Sequence, residues 1–116
     1  MSALTVTVVV PAYNEAEAIG PVVAGLHAEL AKRKIEFEII VVDDGSRDGT
    51  ASAVNESHAR VIAHPANGGY GLSLLTGISA AKHEWVLMID ADGSSPPSEI
   101  LRLLDFAPAF DLVICA

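Results

Sequence analysis

Three short segments of this 116-residue chain carry the side chains best suited to chemistry: Pro11-Ala12-Tyr13-Asn14-Glu15, Asp43-Asp44-Gly45-Ser46 and Asp90-Ala91-Asp92. Each directly follows an apolar run. If one rim collects them, Glu15, Asp43, Asp44, Asp90 and Asp92 crowd together, and like-charge repulsion disfavours that unless a cation or a donor-rich ligand sits among them. Asp90 and Asp92 bracket one residue, and hard oxygen ligands so placed suit Mg²⁺ or Mn²⁺, ions that keep substrate phosphate oxygens in their shell. The competing reading of an Asp-x-Asp is plain turn chemistry, for which Asp is a preferred residue. Asp43 and Asp44 point to opposite faces if strand geometry persists, so one of them addresses the crevice. Asp44 is the favoured one: its carboxylate could accept from a ribose hydroxyl or from an imino or amino group of a base, with Asp43 held in structural hydrogen bonds. The alternative is that both acids merely shape an Asp-Gly turn.

Other candidates fare less well. Asp44-x-Ser46-x-Asp48-Gly49 resembles the start of a calcium loop of the EF-hand kind, but the twelfth position is Asn55 where Glu is needed, and a strand precedes it. Gly68-Gly69-Tyr70-Gly71 lacks the spacing of the dinucleotide fingerprint and does not follow the first strand, and no phosphate-binding Gly-Lys-Ser/Thr loop is present. These glycines either let backbone approach a ligand or form a tight entry to a helix. His27, His58, His64 and His83 lack metal-ligand spacing and read as surface or structural residues. Cys115 has no evident base partner and is not expected to act as a nucleophile.

The positioning elements follow from pattern. Leu4 to Val10 is a continuous run rich in β-branched residues, ended by Pro11, and suits a strand buried on both faces. Asn14 is placed to cap a helix, with Glu17 completing a capping box and Ile19, Val22, Val23, Leu26 and Leu30 at helical spacing. Pro21 should kink that helix or delay its start. Phe37 to Val42 predicts a second strand, Asp48 to about Ser57 a brief helix, and Arg60 to Ala63 a third strand. Leu72 to Lys82 predicts a helix marked by Leu74, Leu75 and Ile78, and Trp85 to Ile89 a fourth strand. Ser98 or a neighbour then caps a helix with Ile100, Leu101, Leu103 and Leu104 on its buried stripe, and Asp111 to Ile114 is a last strand. Strands alternating with helices argue for an α/β doubly wound, mostly parallel sheet with right-handed crossovers. In such sheets ligands sit beyond the carboxyl ends of the strands, where all three acid-bearing segments fall.

Composition bounds the rest. Hydrophobic residues make up 51% and charged residues 19%, ample for a core in one domain spanning residues 1–116. Fifteen acidic against seven basic residues give a net charge of −8, the wrong sign for a nucleic-acid phosphate track or an anionic membrane surface. No run approaches the roughly 18 apolar residues of a membrane span, and the apolar start is too short and lacks the basic region of a signal peptide. A single cysteine excludes an intrachain disulfide, and a cytoplasmic location is expected.

Taken together, Pro11-Ala12-Tyr13-Asn14-Glu15, Val41-Val42-Asp43-Asp44-Gly45-Ser46-Arg47-Asp48-Gly49-Thr50, Asn67-Gly68-Gly69-Tyr70-Gly71 and Asp90-Ala91-Asp92-Gly93 resemble family 2 glycosyltransferases in order and spacing. Within that family they are most similar to the dolichol-phosphate mannosyltransferase and polyprenyl-phosphate sugar transferase branch. The resemblance implies a GT-A fold, Rossmann-like, whose first half binds a nucleotide-diphosphate sugar linked to UDP or GDP. By position, Pro11, Ala12, Tyr13 and Glu15 would line the nucleoside pocket, Asp44 would contact base or ribose, and Asp90 with Asp92 would hold Mg²⁺ or Mn²⁺ on the diphosphate. Asp43 and Ala91 would belong to the same nucleotide-sugar site. The implied reaction is metal-dependent, inverting glycosyl transfer, possible acceptors including a polyprenyl phosphate, with this chain supplying donor and metal binding and weak or inactive alone. The alternatives are a nucleotide-sugar-binding module without catalysis and a minimal folding unit. Ser94-Ser95 stands where this branch often has Gln-His, and Tyr70 where many relatives have a basic residue. A later antiparallel strand would lie between the fourth and fifth strands of the GT-A order, so an open sheet edge and a homodimer through it are expected.

Overall fold

The structure, a computed structural model, describes residues 5–33, 35–94, 96, 98, 101, 102, 113 and 114. Strand β1 (Thr5–Ala12) leads to helix α1 (Ala16–Lys32), β2 (Glu36–Asp43), a 3₁₀ turn (Ala51–Ala53), β3 (Arg60–Ala63), α2 (Tyr70–Ala80), β4 (Trp85–Met88) and β5 (Val113–Ile114). The strands form one sheet in the order β3-β2-β1-β4-β5, and every pair is parallel. The chain therefore builds outward from β1 in one direction through β3, then returns to the other side with β4. That reversal opens a crevice at the carboxyl ends of β1 and β4.

Continuous apolar runs are needed because both faces of the sheet are covered. Val6, Val8, Val10, Ile39, Val41, Leu87 and Ile89 pack with Ile19, Val23, Leu26 and Leu30 of α1 in one core. Val9, Ile40, Val42 and Met88, of opposite parity, form a second core with Leu74 and Ala80 of α2. The same alternation sends Asp43 toward the α1 side and Asp44 toward the α2 side.

β1 continues through Pro11, paired with Val42. Val9 O accepts from Ile89 N, whereas Ala12 O accepts from Asp44 N, so odd-numbered residues here turn their backbone groups toward β4. β4 pairing stops at Val9 with Met88, and the missing N–H of Pro11 costs no ladder bond. α1 runs unbroken through Pro21, so the late start expected from that proline does not occur.

Several expected features are corrected. Asn14 is not the helix cap: it takes a left-handed backbone, φ 54°, and the capping position is Glu15, with no side-chain cap bond. The helix expected from Asp48 to Ser57 shrinks to the 3₁₀ turn, because Asp48 turns its carboxylate onto Thr50 and Ala16. In α2 the buried positions are Ser73 and Gly77, while Leu75 and Ile78 are exposed by 62% and 41%. β5 pairs directly with β4, Leu87 opposite Val113 and Met88 opposite Ile114, so the slot expected between fourth and fifth strands is closed and the premise for a homodimer through it is removed. Leu101 is buried in the α1-side core. The fourth predicted helix beyond Arg102, with Leu103 and Leu104, its Ile100, and the strand residues Asp111 and Leu112 lie outside the described residues.

Candidate nucleotide and metal site at the strand ends

The first two loops are bolted together. Asn14 N–H donates to Ser46 Oγ at 2.9 Å, and Asn14 Oδ1 accepts from Arg47 N at 2.9 Å. Glu15 N–H donates to Thr50 Oγ1 at 3.0 Å and Ala16 N–H to Asp48 Oδ2 at 3.2 Å. The opening amides of α1 are thus satisfied from the loop after β2, a cap supplied from more than 30 residues away. Asp48 Oδ1 also accepts from Thr50, through N–H at 3.0 Å and through the hydroxyl. Those bonds, the Thr50 hydroxyl foremost, hold the Asp48 carboxyl below the ordinary range. Gly45 completes the join: its φ is +75°, and a Cβ there would lie 2.6 Å from Ala66 C and Asn67 N, so the loops after β2 and β3 meet only across glycine.

Asp43 and Asp44 are both buried. Asp43 Oδ1 accepts from Ser46 N at 3.0 Å. Asp44 is gripped more fully: Oδ1 accepts from Gly68 N and lies 2.8 Å from His64 Nδ1, and Oδ2 accepts from Gly69 N, each at 2.8 Å. Burial alone would raise the Asp44 carboxyl, but the hydrogen bonds from His64, Gly68 and Gly69 outweigh it and lower it below its usual value. These donors offset the desolvation of two adjacent buried acids.

His64 is the residue that sequence pattern missed. It lies one residue past β3, with the parity of Ile62, which places it on the α2 face beside Asp44; its N–H donates to Asp43 O at 2.8 Å. Its Nε2 is 2.8 Å from Thr76 Oγ1, whose hydroxyl reaches Leu72 O at 3.0 Å. Strand parity, rather than metal-ligand spacing, was the available signal.

Two neighbouring cavities open on this rim. One, of about 190 Å³, is lined by Pro11, Ala12, Tyr13, Asp44, Asn67, Gly69 and Tyr70. The other, of about 230 Å³, is lined by Pro11, Tyr13, Glu15, Tyr70, Asp90, Ala91 and Asp92. Pro11, Tyr13 and Tyr70 form the wall between them, and both tyrosines are exposed. The five acids therefore divide: Asp44 faces the first cavity, Glu15, Asp90 and Asp92 border the second, and Asp43 lines neither. Ala91 also packs into the α1-side core. Asp92 Oδ1 accepts from Ser94 N at 2.9 Å, and the Ser94 backbone N–H and hydroxyl lower its carboxyl.

Among the described residues no three His, Cys, Asp or Glu side chains converge to hold a metal ion. Asp90 and Asp92 still suit a Mg²⁺- or Mn²⁺-type ion, which typically takes one or two carboxylates and completes its shell with substrate phosphates and water rather than an all-protein cage.

The order of the sheet places an acidic crevice, divided between two cavities, at the carboxyl ends of the strands, where open α/β proteins take their ligands. The chain belongs to glycosyl transferase family 2, whose model matches residues 7–116. It is 36% identical over 115 residues to an undecaprenyl-phosphate 4-deoxy-4-formamido-L-arabinose transferase of Pseudomonas fluorescens, covering 93% of this chain and 34% of that protein. It is 38% identical over 107 residues to a dolichyl-phosphate beta-glucosyltransferase of Trichomonas vaginalis, covering 84% of this chain and 32% of the relative. The chain thus spans about a third of the length of these relatives. Among solved structures, glucosyl-3-phosphoglycerate synthase from Mycobacterium tuberculosis in complex with UDP matches with TM-score 0.71 and 28% identity, over 91% of this chain and 40% of that one. The same enzyme with Mn²⁺, UDP-glucose and phosphoglyceric acid matches with TM-score 0.63 and 30% identity over 76% and 33%. The fold is GT-A, as in the glycosyl transferases of this family.

Proposed function

We propose that this rim binds a nucleotide-diphosphate sugar and serves metal-dependent, inverting transfer of its glycosyl group to an acceptor of the polyprenyl-phosphate kind. The observation that carries the reading is the pair of adjoining cavities, one with a buried acceptor, Asp44, and one with Asp90 and Asp92, separated by Pro11, Tyr13 and Tyr70. The first suits a nucleoside, with Pro11, Ala12 and Tyr13 as an apolar wall and Asp44 accepting from base or ribose. The second, bordered by Glu15, Asp90, Ala91 and Asp92, suits the diphosphate and sugar. Asp90 and Asp92 would hold Mg²⁺ or Mn²⁺, which when bound stabilises charge growing on a departing nucleoside diphosphate. An ionised lipid phosphate needs little help from a general base. UDP and Mn²⁺ in the structural neighbours support this reading. A single cysteine fits a reducing, cytoplasmic site of action, and no helix among the described residues is long and apolar enough to cross a membrane.

The test is UDP release from a UDP-sugar by this chain with Mn²⁺ and a polyprenyl phosphate, against Asp92→Ala. Slow release that depends on metal, acceptor and Asp92 is expected of a chain whose part is donor and metal binding. Metal-dependent nucleotide binding with no release at all would favour a nucleotide-sugar-binding module without catalysis.

A further inference from the structure

Asp44 is the charged group of the first cavity, which Asn67, Tyr13 and Tyr70 also line, and its acceptor capacity can be counted. An ionised carboxylate offers about four lone-pair sites, two on each oxygen. Gly68 N–H and His64 Nδ1 occupy Oδ1, and Gly69 N–H takes one site on Oδ2, all at 2.8 Å. One site on Oδ2 remains. The grip is built rather than incidental: Asp44 is 5% exposed, the His64 side chain 12%, and His64 is anchored at its far nitrogen by Thr76. Thr76 is in turn tied to the α2 backbone at Leu72.

We propose that His64 is a specificity-determining positioning residue: with Gly68 it uses up Asp44 Oδ1, leaving a single acceptor site that selects a base edge with one donor over an edge with two. The assignment rests on the reading of this cavity as the nucleoside pocket. Uracil presents one N–H between two carbonyl oxygens and satisfies the remaining Oδ2 site. Guanine presents its ring N–H and 2-amino group side by side, a pair matched to both oxygens of a free carboxylate. Here the amino group meets an oxygen already saturated and loses its charge-assisted bond to Asp44, which weakens binding by about tenfold. Hypoxanthine, which keeps the ring N–H and lacks the amino group, escapes that penalty.

Calorimetric titration of UDP, GDP and IDP, each with Mn²⁺, tests the assignment on the wild-type chain without a variant. UDP and IDP are expected to bind about tenfold tighter than GDP. In His64→Leu, which frees an Oδ1 site, the GDP penalty shrinks to about twofold, whereas His64→Asn, whose side-chain N–H replaces Nδ1–H, retains it. Equal affinity of wild type for IDP and GDP overturns the assignment, as does UDP binding with neither purine bound, which would make size the selector. A folded His64→Leu with an unchanged IDP-to-GDP ratio also overturns it. Binding of none of the nucleotides by wild type refutes the underlying nucleoside-pocket reading instead.

Discussion

Replacing Gly77 with alanine sets two known effects against each other. Gly77 is buried in the middle of α2, where glycine is intrinsically poor and alanine gains about 1 kcal/mol of helix propensity. A Cβ there would overlap Val9 Cγ1 and stand 2.9 Å from Cγ2 and 3.2 Å from Cβ of that residue. Val9 cannot step aside. It is fully buried in the central strand, its β-branched side chain is stiff, and it carries the α2-side core with Ile40 and Met88. Forcing a methyl group into such a core costs about 1–3 kcal/mol. The balance is a net loss of about 1 kcal/mol. Urea denaturation of wild type, Gly77→Ala, Val9→Ala and the double variant gives the cycle. In the Val9→Ala background both Cγ overlaps are gone, leaving the tight 3.2 Å approach to Cβ, and Gly77→Ala should recover most of its propensity gain of about 1 kcal/mol, a coupling of about 1–2 kcal/mol. A stabilising Gly77→Ala in the wild-type background, or the same effect in both, refutes the close approach of α2 to β1. That approach places Tyr70, the first residue of α2, on both cavities.

Other consequences are equally measurable. Thr50→Val removes the hydroxyl that accepts from Glu15 N–H and should cost about 1–2 kcal/mol in urea midpoint analysis, the usual worth of a lost helix cap; an unchanged midpoint would show that the two loops are not clamped there. Ser73 Oγ is buried with no hydrogen-bond partner among the described residues, so Ser73→Ala should raise stability by about 1 kcal/mol, and a loss would reveal a bond that Ser73 makes. Glu38 accepts from the Thr7 hydroxyl at 2.8 Å and from Lys82 N–H at 2.7 Å. Burial opposes its ionisation, but these bonds, with Arg60 nearby, lower its carboxyl. Asp44 and Asp48 are lowered too. A depressed folded value means stability that is present above the unfolded values, near about 4, and lost as pH falls through the folded ones. The urea midpoint should therefore hold above about pH 5 and fall below about pH 4, less steeply in Glu38→Gln; the same slope in that variant would remove Glu38 from the account.

What the sequence made legible follows from how far each signal reaches. β1, β2 and β4 stand out because burial on both faces demands unbroken apolar runs, and α1 because Ile19, Val22, Val23, Leu26 and Leu30 all face one core. The cap of α1 was hidden because its acceptors, Asp48 and Thr50, come from the next loop, and local pattern credited Asn14. α2 misled in another way. A helix pressed against a strand needs small residues at the contact, so Ser73 and Gly77 are buried while Leu72, Leu75 and Ile78 face outward. The acids of the rim were visible as turn-like segments after strands, but their division between two cavities depends on strand parity and on the amides of Gly68 and Gly69. His64 was passed over because a lone histidine has no spacing to read, and its importance lies in the aspartate beside it.

The central claim, a metal-assisted nucleotide site shared by the ends of β1, β2 and β4, is tested most directly by calorimetric titration of UDP into this chain with and without Mn²⁺. Wild type and Asp92→Ala are compared. The account predicts binding that strengthens at least about tenfold with Mn²⁺ and loses that gain in Asp92→Ala, as expected when an ion bridges carboxylate and phosphate. UDP binding that is indifferent to both metal and Asp92, or no binding at all, would contradict it.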